Sequence, residues 1–183
     1  DFRFLEFKMI VLLSLNFKNT PLKIREYFAF EIADRKKLLI SLCEEEFIDE
    51  AALLITCNRT EIYISSSYEQ MLGKIVNIIL KKCEMLIKKS LDNIRDYVYI
   101  FSNRSAIAHL YRVSAGLDSM VLGEDQILGQ VKDAIEFARE CGTAGLYLNT
   151  FIFSNNTVFL FTLANAAASL INSFTSSLEE SFT

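Results

Sequence analysis

Cys57 lies in the run TCNRTEIY (56–63), where a strand-like segment ends, and Arg59 places a guanidinium two residues further on. A thiol is the strongest side-chain nucleophile near neutral pH, yet a free one at pKa ~8.5 is only a few per cent thiolate. An exposed connection beside a cation is the setting that raises that fraction. Cys43, Cys83 and Cys141 fall within or at the end of helical runs and read as small core hydrophobes. No C-x-x-C pair occurs and His109 is the only histidine, so a structural zinc site is not expected. The four cysteines read as reduced thiols of an intracellular protein.

The elements that must position Cys57 follow from periodicity. MIVLLSLN (9–16) is a short apolar strand, and Asn19, Thr20 and Pro21 turn the chain into a helix. Residues 22 to about 46 favour helix in two pieces, with Leu38, Leu39 and Leu42 on one face of the second. EAALLIT (50–56) and TEIYISS (60–66) are strands, the second alternating Ile62 and Ile64 against Glu61, Tyr63 and Ser65. Only Cys57, Asn58 and Arg59 separate them. Between Tyr68 and Lys89, Met71, Leu72, Ile75, Ile79, Cys83 and Leu86 recur at helical spacing. DYVYIFS (96–102) is a fourth strand, followed by helical runs through Ile107 and Leu110, and through Ile127, Val131 and Ile135. This order predicts an α+β fold: a ferredoxin-like βαββαβ sheet with helices on one face, and additional helices after it. The glycines do not spell G-x-G-x-x-G after a strand, so no dinucleotide fingerprint is present.

The 183 residues, 51% of them hydrophobic, suffice for a real core. Net charge is −4 with a pI near 5.1, which excludes the global basic field of a general nucleic-acid binder. RNA contact has to be local, and Arg35, Lys36, Lys37, Lys81, Lys82, Lys88 and Lys89 are the candidates. The chain divides into upstream or leader residues 1–8, a domain over 9–153 and an atypical tail over 154–183. No charged residue occurs from Cys141 to Leu178. Its most apolar part, TVFLFTLANAAASLIN (157–172), is interrupted by Asn165 and shorter than the roughly 20 residues of a spanning helix. The tail is expected to pack on the domain or on a partner, not to enter a membrane.

LLITCNRTEIY, together with HLYRVSAGLDSMVLGEDQILGQVKDAIEFARECG, resembles the glutamyl-tRNA reductase family over residues 9–153. The resemblance implies the N-terminal catalytic domain of enzymes that convert glutamyl-tRNA and NADPH into glutamate-1-semialdehyde, early in tetrapyrrole (porphyrin) synthesis by way of 5-aminolevulinate. It places the nucleophile on Cys57 and substrate contacts on Thr56, Asn58 and Arg59, on Ser119, on Glu124, Asp125 and Gln126, and on Gln130. His109 matches a position important for activity, and an imidazole there could orient substrate or handle protons. A planar guanidinium at Arg59 also suits a bidentate hold on a carboxylate. Gln126 and Gln130, four apart on a helix, share a face. The sequence departs from the family's pattern at Phe17, in place of a histidine, and at Asp125, in place of a proline or glycine.

After Phe153 the tail matches neither the NADPH-binding domain nor the dimerisation domain of the family. The expectation is therefore an enzyme domain limited to acylation and deacylation through a Cys57 thioester, with no NADPH site of its own. Glutamyl-tRNA is the expected partner, homodimerisation a property of the full-length family, and the cytoplasm or plastid stroma the setting. The competing expectation is a truncated, non-catalytic module that binds glutamyl-tRNA or a protein.

Overall fold

Four strands, six α-helices and two short 3-10 turns make up the regular structure of the computed structural model, which describes residues 8–90, 93–120 and 126–150. In chain order they are β1 (Met9–Asn16), α1 (Leu22–Tyr27), α2 (Ile32–Cys43), β2 (Glu50–Ile55), β3 (Arg59–Ser66), α3 (Leu72–Ile87), β4 (Tyr99–Ser102), α4 (Arg104–Ser114), α5 (Gln126–Glu140) and α6 (Leu146–Asn149). The residues of the tail and of the leader before Lys8 lie outside the described set, as do Glu124 and Asp125.

The strands form one sheet in the order β2-β3-β1-β4, with every neighbouring pair antiparallel. β1 and β3 are central, and every residue of both is buried. Because successive side chains of a strand point to opposite faces, burial of every residue requires cover on both faces. Adjacent residues of β3 show what supplies it. Thr60 Oγ1 donates to the Phe28 carbonyl, just after α1, at 3.2 Å, whereas Glu61 meets His109 of α4. α2 packs on β2 and α3, while α4 packs on β1, β4 and α5. The expectation of helices on one face is thus corrected: a second helical layer covers the face that carries Glu61, Tyr63 and Ser65.

Two boundaries move. Arg59 belongs to β3, so the connection is Thr56, Cys57 and Asn58. The fourth strand begins at Tyr99 and not at Asp96, because Ile94–Tyr97 forms a 3-10 turn entered through Asn93 in the left-handed region, with φ of 59°.

The β2 edge is closed by the chain that follows α5. Ala51 donates its N–H to the Thr143 carbonyl at 2.8 Å, and the buried Glu50 carboxylate accepts the Tyr147 and Leu148 N–H groups at 3.0 and 2.6 Å. These are two of the orphan donors at the start of α6. A Cβ on Gly145 would stand 2.6 Å from Glu50 Oε1, so a side chain there would have to shift the carboxylate that anchors this edge. Glu50→Ala is expected to lower stability by about 2 kcal/mol through loss of these charge-assisted bonds. Glu50→Gln, which keeps one acceptor oxygen, should lose less. Urea denaturation checks both, and equal midpoints for Glu50→Ala and the unmodified chain would show that the edge closure contributes nothing.

Candidate functional site

The connection between β2 and β3 is held by its own turn, by Phe17 on one side and by α1 on the other. Thr56 N–H donates to the Arg59 carbonyl at 2.9 Å, and Thr56 Oγ1 accepts from the N–H groups of Asn58 and Arg59 at 3.1 and 3.2 Å. A threonine at this place therefore forms the turn through its own hydroxyl. The Asn58 carbonyl accepts from Phe17 N–H at 3.0 Å, and the Cys57 carbonyl from Arg25 Nη1 of α1 at 2.9 Å. Cys57 itself is exposed at the tip, while Thr56 and Asn58 are half-buried.

The other thiols are withheld from chemistry. Burial pushes Cys83, in the middle of α3, up to about 12, and burial with the nearby Glu50 charge pushes Cys43 up to about 11. Burial also raises Cys141. At those values the thiolate is a minute fraction near neutral pH.

Behind the tip, the covered face of β3 carries a buried polar layer. Glu61 is fully buried, and its carboxylate has four partners. Oε1 accepts from Arg59 Nη1 at 3.0 Å, Ser14 Oγ at 3.0 Å and His109 Nε2 at 2.6 Å, and Oε2 accepts from Tyr63 OH at 2.7 Å. Ser14 is oriented in turn by Asn16 Nδ2 at 3.2 Å. Burial pushes the Glu61 carboxyl up, but the bond and charge of His109, the Arg59 charge and the Tyr63 bond outweigh it, and the net direction is down. Burial and the Glu61 charge raise Tyr63 well above its ordinary value. With Glu61 ionised, His109 Nε2 carries the proton, and the ring stacks on Phe101 with centroids 4.6 Å apart.

Arg59 links this layer to a second loop. The chain leaves α4 through Gly116, whose φ of 69° lets it turn back, and the turn delivers Asp118 to the guanidinium. Arg59 Nη1 donates to Asp118 Oδ2 at 3.3 Å, Nη2 bonds the Asp118 carbonyl, and Lys18 pairs with Asp118 Oδ1. Burial would raise the Asp118 carboxyl, but Lys18 and Arg59 hold it below its ordinary value. Ser119, next in the chain, is half-buried. Thr56, Cys57, Asn58, Arg59, His109 and Ser119 therefore belong to one connected cluster. Arg59 is only 2% exposed, and both of its terminal nitrogens are already bonded to Glu61 or Asp118.

Gln126 is exposed at the start of α5, and Gln130, one turn on, is half-buried and lines a cavity between α2, β2 and α5. Six contributors went unassigned in the sequence: Ser14, Lys18, Arg25, Glu61, Tyr63 and Asp118. Glu61 left a signal, since a carboxylate amid apolar strand residues is either at a solvent face or paired. Arg25 and Asp118 left none, because their partners are 32 and 59 residues away.

Among the described residues no group of three or more His, Cys, Asp or Glu could hold a metal ion. Nor do they fit a dinucleotide. The strand-to-helix turn from β4 into α4 passes through Asn103, and the left-handed glycines, Gly116 and Gly142, follow helices.

Residues 13–158 match the family described as glutamyl-tRNAGlu reductase, N-terminal domain. The chain is 40% identical over 142 residues to the glutamyl-tRNA reductase of Moorella thermoacetica, covering 77% of this chain and 31% of that protein. It is 43% identical over 144 residues to that of Aromatoleum aromaticum, covering 76% and 33%. The solved glutamyl-tRNA reductase from Methanopyrus kandleri superposes with a TM-score of 0.64 at 25% identity, over 87% of this chain and 34% of that one. The chain thus spans about a third of the length of the relatives it matches.

Two predictions arise from the site. Glu61→Ala leaves the buried Arg59 with Asp118 as its remaining anionic partner and removes the acceptor of His109, Ser14 and Tyr63, and should cost about 3 kcal/mol in urea denaturation. Because folding lowers the Glu61 pKa, its stabilisation is fully present above the ordinary value of 4.5 and is lost as pH falls through the lower folded value. The stability gap between the unmodified chain and Glu61→Gln should therefore shrink on the acid side of 4.5 and not on the alkaline side. A gap independent of pH would refute the buried-charge account. Brief alkylation of the folded chain near neutral pH should label Cys57 first, with Cys43 and Cys83 labelled only after unfolding. Peptide mass mapping reads the order, and equal labelling of Cys83 in folded protein would remove the contrast.

Proposed function

The chain belongs to the glutamyl-tRNA reductase family through that family's N-terminal domain, and we propose that it performs acyl transfer, with Cys57 as the nucleophile. The observation that carries the reading is the exposure of Cys57 at a tip whose backbone is held on both sides, while the other thiols are raised or half-buried.

In the proposed step the Cys57 thiolate, its proton lost to water at the exposed tip, attacks the carbonyl carbon of the ester joining glutamate to tRNA. A carbon–sulfur bond forms, the carbon–oxygen bond to the ribose breaks, and the departing ribose oxygen takes a proton from solvent. The product is glutamate held as a thioester, whose carbonyl is more electrophilic than that of the ester. Thr56, Asn58, Ser119, Gln126 and Gln130 are proposed as substrate contacts on the resemblance, as are Glu124 and Asp125, which lie outside the described residues. A substrate carboxylate reaching Arg59 has to share the guanidinium with Asp118 or displace it. His109, with Nε2 on Glu61, is proposed as a positioning residue: it holds Glu61, Glu61 holds Arg59, and Arg59 holds the Ser119 loop.

The sheet order with its two helical crossovers supports a ferredoxin-like reading of the fold. Reduction of the thioester with NADPH to glutamate-1-semialdehyde, a step of tetrapyrrole synthesis, and homodimerisation are proposed for the full-length proteins. No step of that reduction is assigned to the described residues. No helix among them is long and apolar enough to cross a membrane.

Mixing the chain with glutamyl-tRNA should add a glutamyl group to Cys57, seen by intact-protein mass spectrometry after an acid quench and absent from Cys57→Ser. Slow hydrolysis of the adduct would appear as net deacylation. A folded chain that binds glutamyl-tRNA without forming the adduct would overturn the enzyme reading in favour of a binding module.

A further inference from the structure

We propose that the cavity between α2, β2 and α5 receives the 3′-terminal nucleotide of the acylated RNA, an inference that rests on the reading of Cys57 as the acyl acceptor. The cavity holds about 290 Å³, at the lower end of small-molecule pockets, which run roughly 300–1,000 Å³. Its apolar wall is made by Ile32, Ile55 and Phe137, and its polar groups are Arg35, Gln130 and Asp133.

Position is the first argument. Ile55 precedes Cys57 by two residues, so the cavity wall is within about 7 Å of chain from the nucleophile. An acyl group esterified to the terminal ribose is only a few bonds from the base and from the 5′-phosphate. When its carbonyl carbon is at Cys57, the nucleotide must therefore lie beside the tip, and this cavity, walled by Ile55 two residues before it, is the lined space that adjoins the tip along the chain.

Chemistry is the second. Single-stranded RNA ends are held by stacking of the base on aromatic and apolar side chains and by cations on the phosphate. Phe137 and Ile55 supply the apolar surface, and Ile32 stands at the mouth 68% exposed, a large apolar side chain with no cover among the described residues. The Arg35 guanidinium is rooted by its Nε, which donates to the Phe30 carbonyl at 2.7 Å, and it forms no ion pair among the described residues. Its remaining donors are available to a phosphate. Asp133 and Gln130 face the same space and offer acceptors and donors to ribose hydroxyls or to an exocyclic amine. The net charge of the chain is negative, so this local arrangement, and not a global field, has to guide the RNA end.

The test uses the whole chain and adenosine 5′-monophosphate, which carries base, ribose and phosphate but nothing for the thiol to attack. Backbone amide shifts in an NMR titration should move saturably at residues 32–35, 53–55 and 130–137. Arg35→Ala should weaken binding about tenfold or more, as expected for a lost charge-assisted bond to phosphate. Ala134→Leu, which fills the cavity without changing charge, should weaken it as well, so one folded variant suffices. The mononucleotide should also slow adduct formation on Cys57 by glutamyl-tRNA.

Shifts confined to other surfaces, no saturation, or affinity unchanged in a folded variant would overturn the proposal. So would inorganic phosphate binding as tightly as the mononucleotide, since the nucleoside would then add nothing. Mononucleotide binding in this cavity with no acyl adduct on Cys57 would instead remove the enzyme reading.

Discussion

The buried carboxylate of Glu61 is the constraint on which the site depends. An isolated ionised carboxylate in a protein interior is strongly unfavourable, and it persists only where hydrogen bonds and opposite charge replace its water. Here the replacement comes from β1 through Ser14, from β3 through Arg59 and Tyr63, and from α4 through His109. Three elements distant in sequence are thereby brought to one point. The pairing is directional, so it sets where α4 sits over the sheet, and apolar packing alone would not do so.

That placement propagates outward. Once Arg59 is held by Glu61, its other donors reach the turn after α4 and fix Asp118, and with it the position of Ser119. Lys18, at the exit of β1, closes the same corner from the other side. The tip bearing Cys57 is held independently, by the Thr56 hydroxyl and by Arg25 and Phe17. A thiol on a three-residue connection is thus fixed without being buried, the arrangement that the proposed attack on a large substrate needs. The remaining thiols show the opposite arrangement, since burial in or beside helices raises their pKa and removes them from competition.

The two ends of the sheet differ. The β2 edge is covered by residues 143–149 and anchored through Glu50, so α5 is held against β2 and the cavity at that end keeps its walls. The β4 edge is short, and Tyr99 and Ile100 remain exposed. Short edge strands limit the unpaired backbone available to other chains.

Periodicity and composition alone located β1, the two-piece helix after it, the β2–β3 connection, α3 and α5, because those segments carry strong local patterns. Cys57 stood out for the same reason, as the cysteine outside a helical run. The fourth strand was read three residues too early, since Asp96, Tyr97 and Val98 have strand-forming neighbours and only the left-handed Asn93 turns them into a helical turn. The polar face of β3 was the larger difference. Alternation of Glu61, Tyr63 and Ser65 with isoleucines is the pattern of a strand with one face in water, and nothing local distinguishes that from a face under α4. What decides it is the arrival of His109 from 48 residues away, and of Asp118 beside Arg59. Local sequence determined which segments are helix or strand and which thiol is exposed. Tertiary contact alone decided which charges are buried, because a charge can be buried only where partners from elsewhere in the chain replace its water.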